Sequence, residues 1–371
     1  MLISQLQVSN LRNLSHVELT PSPRINLLFG ENGSGKTSLL EAIHMLGLGR
    51  SFRTQQYRQV IQSEQSELLV FAQIDAQGTG EPRPLGVSRS RDAELKVRYA
   101  GESLGSAELA SLMPLLVINS DTFDLLEGSP SIRRQFVDWG GFHSDPGFIR
   151  LWRGFHRVLK QRNSLLKCGK IDARVRALWD AELVAFAEPL TELRAAYIEA
   201  LKPVFEEILA ELLKDVRVEL RFSQGWDSKR PLAELLEENF ERDLRQGFSS
   251  SGPQRADLRF RADGQDAAER LSRGQKKLVV SALKLAQGAL FYRQSQRACV
   301  YLIDDLPSEL DERHCRQFCR FLENSTNQCF ITCVEPGLLS RVWDADTPVR
   351  LFKVEQGKIS QSAAPGEHDE R

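Results

Sequence analysis

Gly30-Glu31-Asn32-Gly33-Ser34-Gly35-Lys36-Thr37 is the stretch on which the reading of the fold turns. It fills every fixed position of the phosphate-loop pattern G-x-x-x-x-G-K-[ST]. Ile25-Asn26-Leu27-Leu28-Phe29 precedes it as a short apolar run of the length of a buried strand, and Ser38-Leu39-Leu40-Glu41-Ala42-Ile43 follows with helical spacing. The glycines let the backbone turn back so that its N–H groups converge on one cavity, and the helix N-terminus adds positive potential. Lys36 is expected to supply a point charge to the outer phosphates of ATP, and Thr37 a hydroxyl for Mg²⁺.

A nucleotide site of this type needs a second half. Tyr301-Leu302-Ile303-Asp304-Asp305 is an apolar strand ending in two carboxylates. Asp304 is expected to hold Mg²⁺ and Asp305 to polarise the attacking water, although an acidic residue at a strand end also caps helices and forms turns. Between the two halves stands Leu271-Ser272-Arg273-Gly274-Gln275, leading into an apolar helical stripe. Ser272 suits a simple N-cap; the sequence also matches the L-S-x-G-Q signature that ABC-type ATPases present to a nucleotide held by a second subunit, again through a helix N-terminus facing an anion. Ser308-Glu309-Leu310-Asp311 then falls where those ATPases carry their S-x-L-D loop.

Working outward, residues 1–19 alternate as a hairpin around Asn10-Leu11-Arg12-Asn13, and three alternating runs between Leu68 and Ala100 predict an antiparallel meander. Leu115-Leu116-Val117-Ile118 reads as one more buried strand. From about Ser131 to Leu213 the apolar period is helical, and Pro189 and Pro203 are expected to break or kink that run into two or three packed helices. A strand near Val218 and a helix from about Leu232 to Arg245 follow. The runs Ala298–Ile303 and Cys329–Thr332 are separated by a helix, which predicts a parallel core. The expected organisation is an α/β, ABC-type ATPase head: residues 1–125 form its first part, 126–247 a mainly helical second lobe, 248–360 the second part of the head, and 361–371 a disordered tail.

Charge is distributed unevenly. The formal net charge is −1, yet Arg133 to Arg176 holds eleven Lys/Arg against three Asp. Such asymmetry fits one surface facing a polyanion. Arg150, Arg153, Arg157, Lys160 and Arg162 lie opposite the apolar stripe and are expected to face solvent. Arg133, Arg134, Arg153, Arg157 and Lys160 are the candidate DNA contacts, with capping and ion pairing as the alternative for Arg133 and Arg134. The six cysteines lack zinc spacing, and Cys329 and Cys333 read as small buried hydrophobes. The scattered histidines give no nuclease metal cluster. With no apolar run of membrane length and no secretory N-terminus, no membrane association and a cytoplasmic location are expected.

The chain resembles the RecF family of bacterial recombination-repair ATPases, relatives of the SMC-type heads. Besides the motifs above, the resemblance is carried by Gly128-Ser129-Pro130-Ser131-Ile132-Arg133-Arg134-Gln135-Phe136-Val137-Asp138 and Gly252-Pro253-Gln254-Arg255-Ala256-Asp257-Leu258, and it runs to about Glu335. Arg273 in place of the second signature glycine, and Asp305 where transporters carry Glu, fit this family rather than transporters. The resemblance implies that Arg12 reaches the nucleotide phosphates, that Gly30 to Thr37 bind ATP, and that Ser272, Arg273, Gly274, Gln275 and Asp311 act on the partner's ATP. Asn119 or Asp121 is expected to fill the sensor position, and the switch position lies between Thr332 and Glu335. The resemblance also implies an ATP-dependent homodimer that binds gapped or duplex DNA near strand junctions, hydrolyses ATP slowly, and works with RecR and RecO to load RecA. The competing class is an ABC-type subunit driving a membrane or signalling partner. The roughly 235 residues between Thr37 and Ser272 leave no room for a coiled-coil arm of hundreds of residues.

Overall fold

The computed structural model describes residues 1–169 and 172–362. They form two compact units, one of residues 1–122 and 281 onward, the other of residues 123–280.

The first unit contains two six-stranded sheets. In one, strand Leu2–Leu11 pairs with Leu14–Leu19 on one side and Glu67–Asp75 on the other, and the meander continues through Arg83–Ser90 and Leu95–Tyr99, all antiparallel. Alternation in Glu67–Asp75 buries Leu68, Val70, Ala72 and Ile74 while Leu69 stays exposed, the signature of a sheet with a single covered face. The other sheet is the parallel core. Ile25–Phe29 lies between Val349–Glu355 and Gln328–Cys333, and Val300–Ile303 follows, flanked by Leu115–Ile118. Every residue of Val300–Ile303 and Gln328–Cys333 is buried, because both faces of this sheet are covered. Helix Lys36–Leu48 contributes Leu39, Leu40, Ile43 and Leu46 to a cluster holding residues of both sheets, and nearly all its length is buried. That accounts for its apolar character all round. Gln328 ties the sheets together: its amide accepts from the Ile3 N–H at 2.8 Å and donates to the carbonyls of Ile3 and Ser22.

The second unit is built on helices Pro130–Ser144, Phe148–Lys167 and Ala173–Leu212. The last contains both Pro189 and Pro203, so the expected break does not occur. A proline inside a helix costs about 3 kcal/mol. Against that, Leu183, Leu190, Ile198, Leu201 and Phe205 are completely buried, each contributing roughly 1.5–3 kcal/mol, so packing outweighs both prolines. Close approach of the helices depends on missing side chains: a Cβ on Gly154 would lie 2.3 Å from the Phe186 ring, and one on Gly140 would lie 1.9 Å from Tyr197. The expected helix over 232–245 is two, Leu232–Glu238 and Phe240–Gln246, divided at Asn239.

The boundary expected at 247/248 also differs. Strand Asp257–Ala262 pairs with Val218–Ser223 in a three-stranded antiparallel sheet of the second unit. The chain returns to the first unit only within helix Arg273–Ser295, after Val280. Backbone pairing between strands remote in sequence draws the 248–280 segment into this unit. Gln361 and Ser362, assigned to the tail, complete strand Lys358–Ser362; the rest of that tail lies outside the described residues.

Candidate functional site

The phosphate loop leaves the parallel sheet at Phe29 and enters helix Lys36–Leu48. Gly30, Gly33 and Gly35 all have positive φ, at 151°, 80° and 121°, conformations that glycine adopts without steric cost. A Cβ on Gly30 would sit 2.2 Å from the Val354 carbonyl, so this position excludes any side chain. The loop is braced from outside as well. The Ser34 carbonyl accepts from the Gly357 N–H at 2.8 Å and from the Asn13 amide at 3.1 Å, while Ser38 Oγ donates to Asn13 Oδ1. Lys36 is buried, and its Nζ donates to the carbonyls of Gly30 and Glu31 at 2.7 and 2.9 Å. The ammonium is thereby held inside the curve of the loop.

Thr37 Oγ1 lies 3.0 and 3.1 Å from the two carboxylate oxygens of Asp304. Two hard oxygen donors on facing elements suit Mg²⁺, which takes oxygen ligands and one or two carboxylates beside substrate phosphates. Asp304 also receives the Thr332 hydroxyl at 2.7 Å, and its N–H donates to the Ile118 carbonyl. Asp305 has φ 55° and ψ 46°, a left-handed conformation uncommon for a residue with a side chain. Its N–H donates to Thr332 Oγ1 at 2.8 Å. One fully buried hydroxyl therefore joins both carboxylate residues. It stands on the strand between the one that feeds the loop and the one that ends in Asp304. Thr332→Val keeps the shape and removes both bonds. It is expected to lower stability by roughly 1–3 kcal/mol through the unpaired Asp305 N–H, with Thr332→Ser restoring most of it, as read by urea unfolding.

Arg12 is engaged within the protein. Its guanidinium donates to Glu41 at 2.9 and 3.0 Å and to the Gln59 carbonyl rather than standing free for phosphate. Glu41 is fully buried and also faces Arg53 at 3.6 Å and the Ser51 hydroxyl. A carboxylate removed from water requires such compensation, and this demand fixes Arg12. Asn119 is occupied in a reciprocal turn with Thr122, whereas Asp121 is exposed.

In the second unit, Ser272 and Gln275 form a reciprocal cap on helix Arg273–Ser295. The Ser272 N–H donates to Gln275 Oε1 at 2.9 Å, and the Gln275 N–H donates to Ser272 Oγ at 3.3 Å. Ser272, Arg273 and Gly274 are exposed, and a Cβ on Gly274 would meet nothing within 4 Å. Back in the first unit, Asp311 caps helix Glu312–Asn324 and pairs with His314 at 2.6 Å. These hydrogen bonds lower its carboxyl below the ordinary range.

The basic stretch divides. Arg153, Arg157 and Lys160 are exposed on helix Phe148–Lys167, and among the described residues only Arg157 of the three pairs, with Glu182 at 3.2 Å. Arg162, expected in solvent, is buried against Asp180, Asp243 and Ser249. Arg133 is bidentate to Asp257 at 2.7 and 3.2 Å, and Arg134 donates to the Ala256 carbonyl. Arg133 is thus an internal tie rather than a DNA contact, and Arg134 is half-buried and partly committed to the same task. Burial and the neighbouring Arg194 lower the pKa of Arg134. The cysteines other than Cys168 are buried, and burial pushes Cys329 and Cys333 up to about 12. Among the described residues there is no cluster suited to a metal and no helix long and apolar enough to cross a membrane.

Asn13, Glu41 and Thr332 complete the site in ways that motif spacing does not reveal. Asn13 stands beside Arg12 in the first hairpin turn, and Thr332 at the edge of the switch segment, so proximity to motifs is the only available signal.

Comparison with known proteins agrees with this fold. The chain is 51% identical over 367 residues to the DNA replication and repair protein RecF of Pseudomonas aeruginosa (strain LESB58), covering 99% of each. It is 50% identical over 372 positions to the protein of that name from Pseudomonas syringae pv. tomato, covering 100% of each. The fold matches a solved structure of the recombination mediator protein RecF-ATP in the RecFOR pathway, with a TM-score of 0.86 at 23% identity over 98% of both chains. It also matches an SMC head bound to the C-winged helix domain of ScpA, at 0.63 and 14% over 98% of both. The family described as RecF/RecN/SMC N terminal domain matches residues 2–360, a span that includes the loop, the paired carboxylates and the signature, and the chain belongs to that family.

Proposed function

We propose that this protein is an ATP-switched DNA clamp of recombinational repair. The observation that carries the reading is the convergence of Lys36, Thr37 and Asp304 at one end of the parallel sheet. ATP would be cradled by Gly30 to Thr37, with Mg²⁺ on Thr37 and Asp304 and with Asp305 orienting the water. The bound ion supplies neutralisation of charge on the transferring phosphoryl group. Exposure of Ser272 and Gly274 supports their use by a second copy, so that ATP joins two protomers and hydrolysis, slow and stimulated by DNA, releases them. The exposed face bearing Arg153, Arg157 and Lys160 would contact DNA phosphates, duplex or gapped, with little sequence preference. An exposed ion pair such as Arg157–Glu182 is worth at most about 1 kcal/mol and leaves that face available. The solved relative's name, a recombination mediator in the RecFOR pathway, supports a place beside RecO and RecR, and loading of RecA is the step we assign to that place.

Sedimentation with ATP and Mg²⁺ should convert a monomer to a dimer. Reversing charge at Arg153, Arg157 and Lys160 should weaken duplex binding and flatten its salt dependence by roughly one log unit per log unit of salt for each phosphate no longer neutralised. A nucleotide-trapped species that remains monomeric, or DNA affinity unmoved by the triple reversal, would refute the clamp or this DNA face respectively.

A further inference from the structure

The segment between helix Phe240–Gln246 and strand Asp257–Ala262 is irregular, apart from one short turn, yet almost every residue in it is fixed. The Ser249 N–H and hydroxyl both donate to Asn163 Oδ1 at 2.8 Å, and the same hydroxyl accepts from Arg162. Ser250 N–H donates to Asp243 at 3.1 Å. Gln254 reaches back to the carbonyls of Ser249 and Ser251 at 3.1 and 2.9 Å. Arg194 donates to the Pro253 carbonyl at 2.9 Å, Arg134 to that of Ala256 at 2.9 Å. Gly225 makes room for the turn, since a Cβ there would lie 2.3 Å from the Gly252 carbonyl.

This scaffolding displays two side chains. Arg255 is exposed, with its guanidinium carbon 5.1 Å from the centre of the Phe248 ring, and Phe248 is itself 39% exposed. A single exposed ring alone indicates nothing, but this one is held on a fixed loop beside a guanidinium, and loops positioned by a rigid scaffold are where binding residues concentrate. Charge indicates what this one would bind. Near the Pro253–Asp257 end stand Arg133, Arg134, Arg194 and Arg255, of which Arg133 is bonded by Asp257 and Arg194 by Asp138. Near the other end, Arg162 bonds both Asp180 and Asp243, while Arg242 bonds the Ser250 hydroxyl. The surplus is positive and lies beside the exposed ring.

Resting on the DNA-binding reading above, we propose that Phe248 and Arg255 form a contact for a nucleic-acid strand, separate from the helix face of Arg153, Arg157 and Lys160. Arg255 takes a backbone phosphate, assisted by Arg134, and the Phe248 ring stacks on an unpaired base. A ring and a guanidinium side by side are the elements of sequence-tolerant single-strand binding. This gives the protein a means of preferring a junction with an unpaired strand over continuous duplex.

The test uses the full-length protein with ATP and Mg²⁺, and measures fluorescence anisotropy of a blunt duplex and of the same duplex with a single-stranded tail, across a salt series. Phe248→Leu keeps apolar bulk and should lose roughly ten-fold in affinity for the tailed substrate while leaving the blunt duplex unchanged. Arg255→Gln should weaken both and lower the log–log salt slope by about one, and Arg255→Lys should restore the slope. If the wild type binds both substrates and the variants match it in affinity and slope, this contact is wrong while the clamp stands. If the wild type binds neither, both fall. Loss of dimerisation with DNA affinity intact would assign the patch to a protein surface and overturn the proposal.

Discussion

Lys36→Ala is expected to lower ATP affinity by two to three orders of magnitude and to eliminate the ATP-dependent dimer. The ammonium sits inside the loop on the carbonyls of Gly30 and Glu31, where it would meet the outer phosphates of a bound nucleotide. Charge-assisted hydrogen bonds contribute about 1.5–3 kcal/mol each, and each 1.4 kcal/mol is a factor of ten in affinity. Losing two such bonds at the lower end of that range, about 1.5–2 kcal/mol each, gives the stated loss. Lys36→Arg should also fail, because a planar fork does not replace a compact ammonium in so confined a position. Equilibrium binding of a fluorescent ATP analogue checks the first effect, and sedimentation with nucleotide checks the second. A Lys36→Ala protein that binds the analogue within a few-fold of wild type would remove the loop from the nucleotide site.

The largest loss of stability is expected at Arg194, far in sequence from the loop. Its side chain is 2% exposed and bonds Asp138 at 2.7 and 3.1 Å and the Pro253 carbonyl at 2.9 Å. Asp138 further accepts from the Trp152 indole at 3.1 Å. Arg194→Leu would leave a carboxylate largely removed from water without its hydrogen-bonded countercharge, with only the half-buried Arg134 nearby. Breaking a buried pair from one side costs roughly 3–5 kcal/mol, a large share of the 5–15 kcal/mol by which a domain is stable. Urea unfolding should show the midpoint fall. In the double variant Arg194→Leu with Asp138→Leu, a substantial part should return, because no charge is then stranded. If the double variant is no better than the single, the loss comes from packing or from the freed Pro253 carbonyl.

The contrast between Lys36 and Arg194 explains what could be read from the chain. A phosphate loop is local: eight adjacent residues, a strand before and a helix after, all set by backbone geometry and apolar period. Asp304 and Asp305 could be recognised because an apolar strand runs straight into them. The antiparallel meander and parallel core followed for the same reason. Charge counting had no such basis. It grouped Arg133, Arg134 and Arg162 with Arg153, Arg157 and Lys160, yet whether a guanidinium meets water or an aspartate depends on residues like Asp257 and Asp243, over eighty positions away. At Pro189 and Pro203 the local penalty pointed to a break or a kink; burial that outweighs it keeps the helix unbroken, and the expected two or three helices are three. Arg12 combined both problems. Its family role pointed toward phosphate, while the carboxylate that holds it, Glu41, appears in sequence only as one polar position in an apolar helix.

The bracing of the phosphate loop has a consequence for how the protein is made. Gly30 and Ser34 leave the ribosome more than three hundred residues ahead of the groups that brace them. The carbonyl of Val354 that packs on Gly30, and the Gly357 N–H that bonds Ser34, are among the last of the described chain. Central strand Ile25–Phe29 likewise waits for both of its parallel neighbours, Gln328–Cys333 and Val349–Glu355. While the intervening residues are being made the nucleotide cradle therefore exists as sequence without a shape, and the nascent chain has no finished pocket in which to capture ATP prematurely.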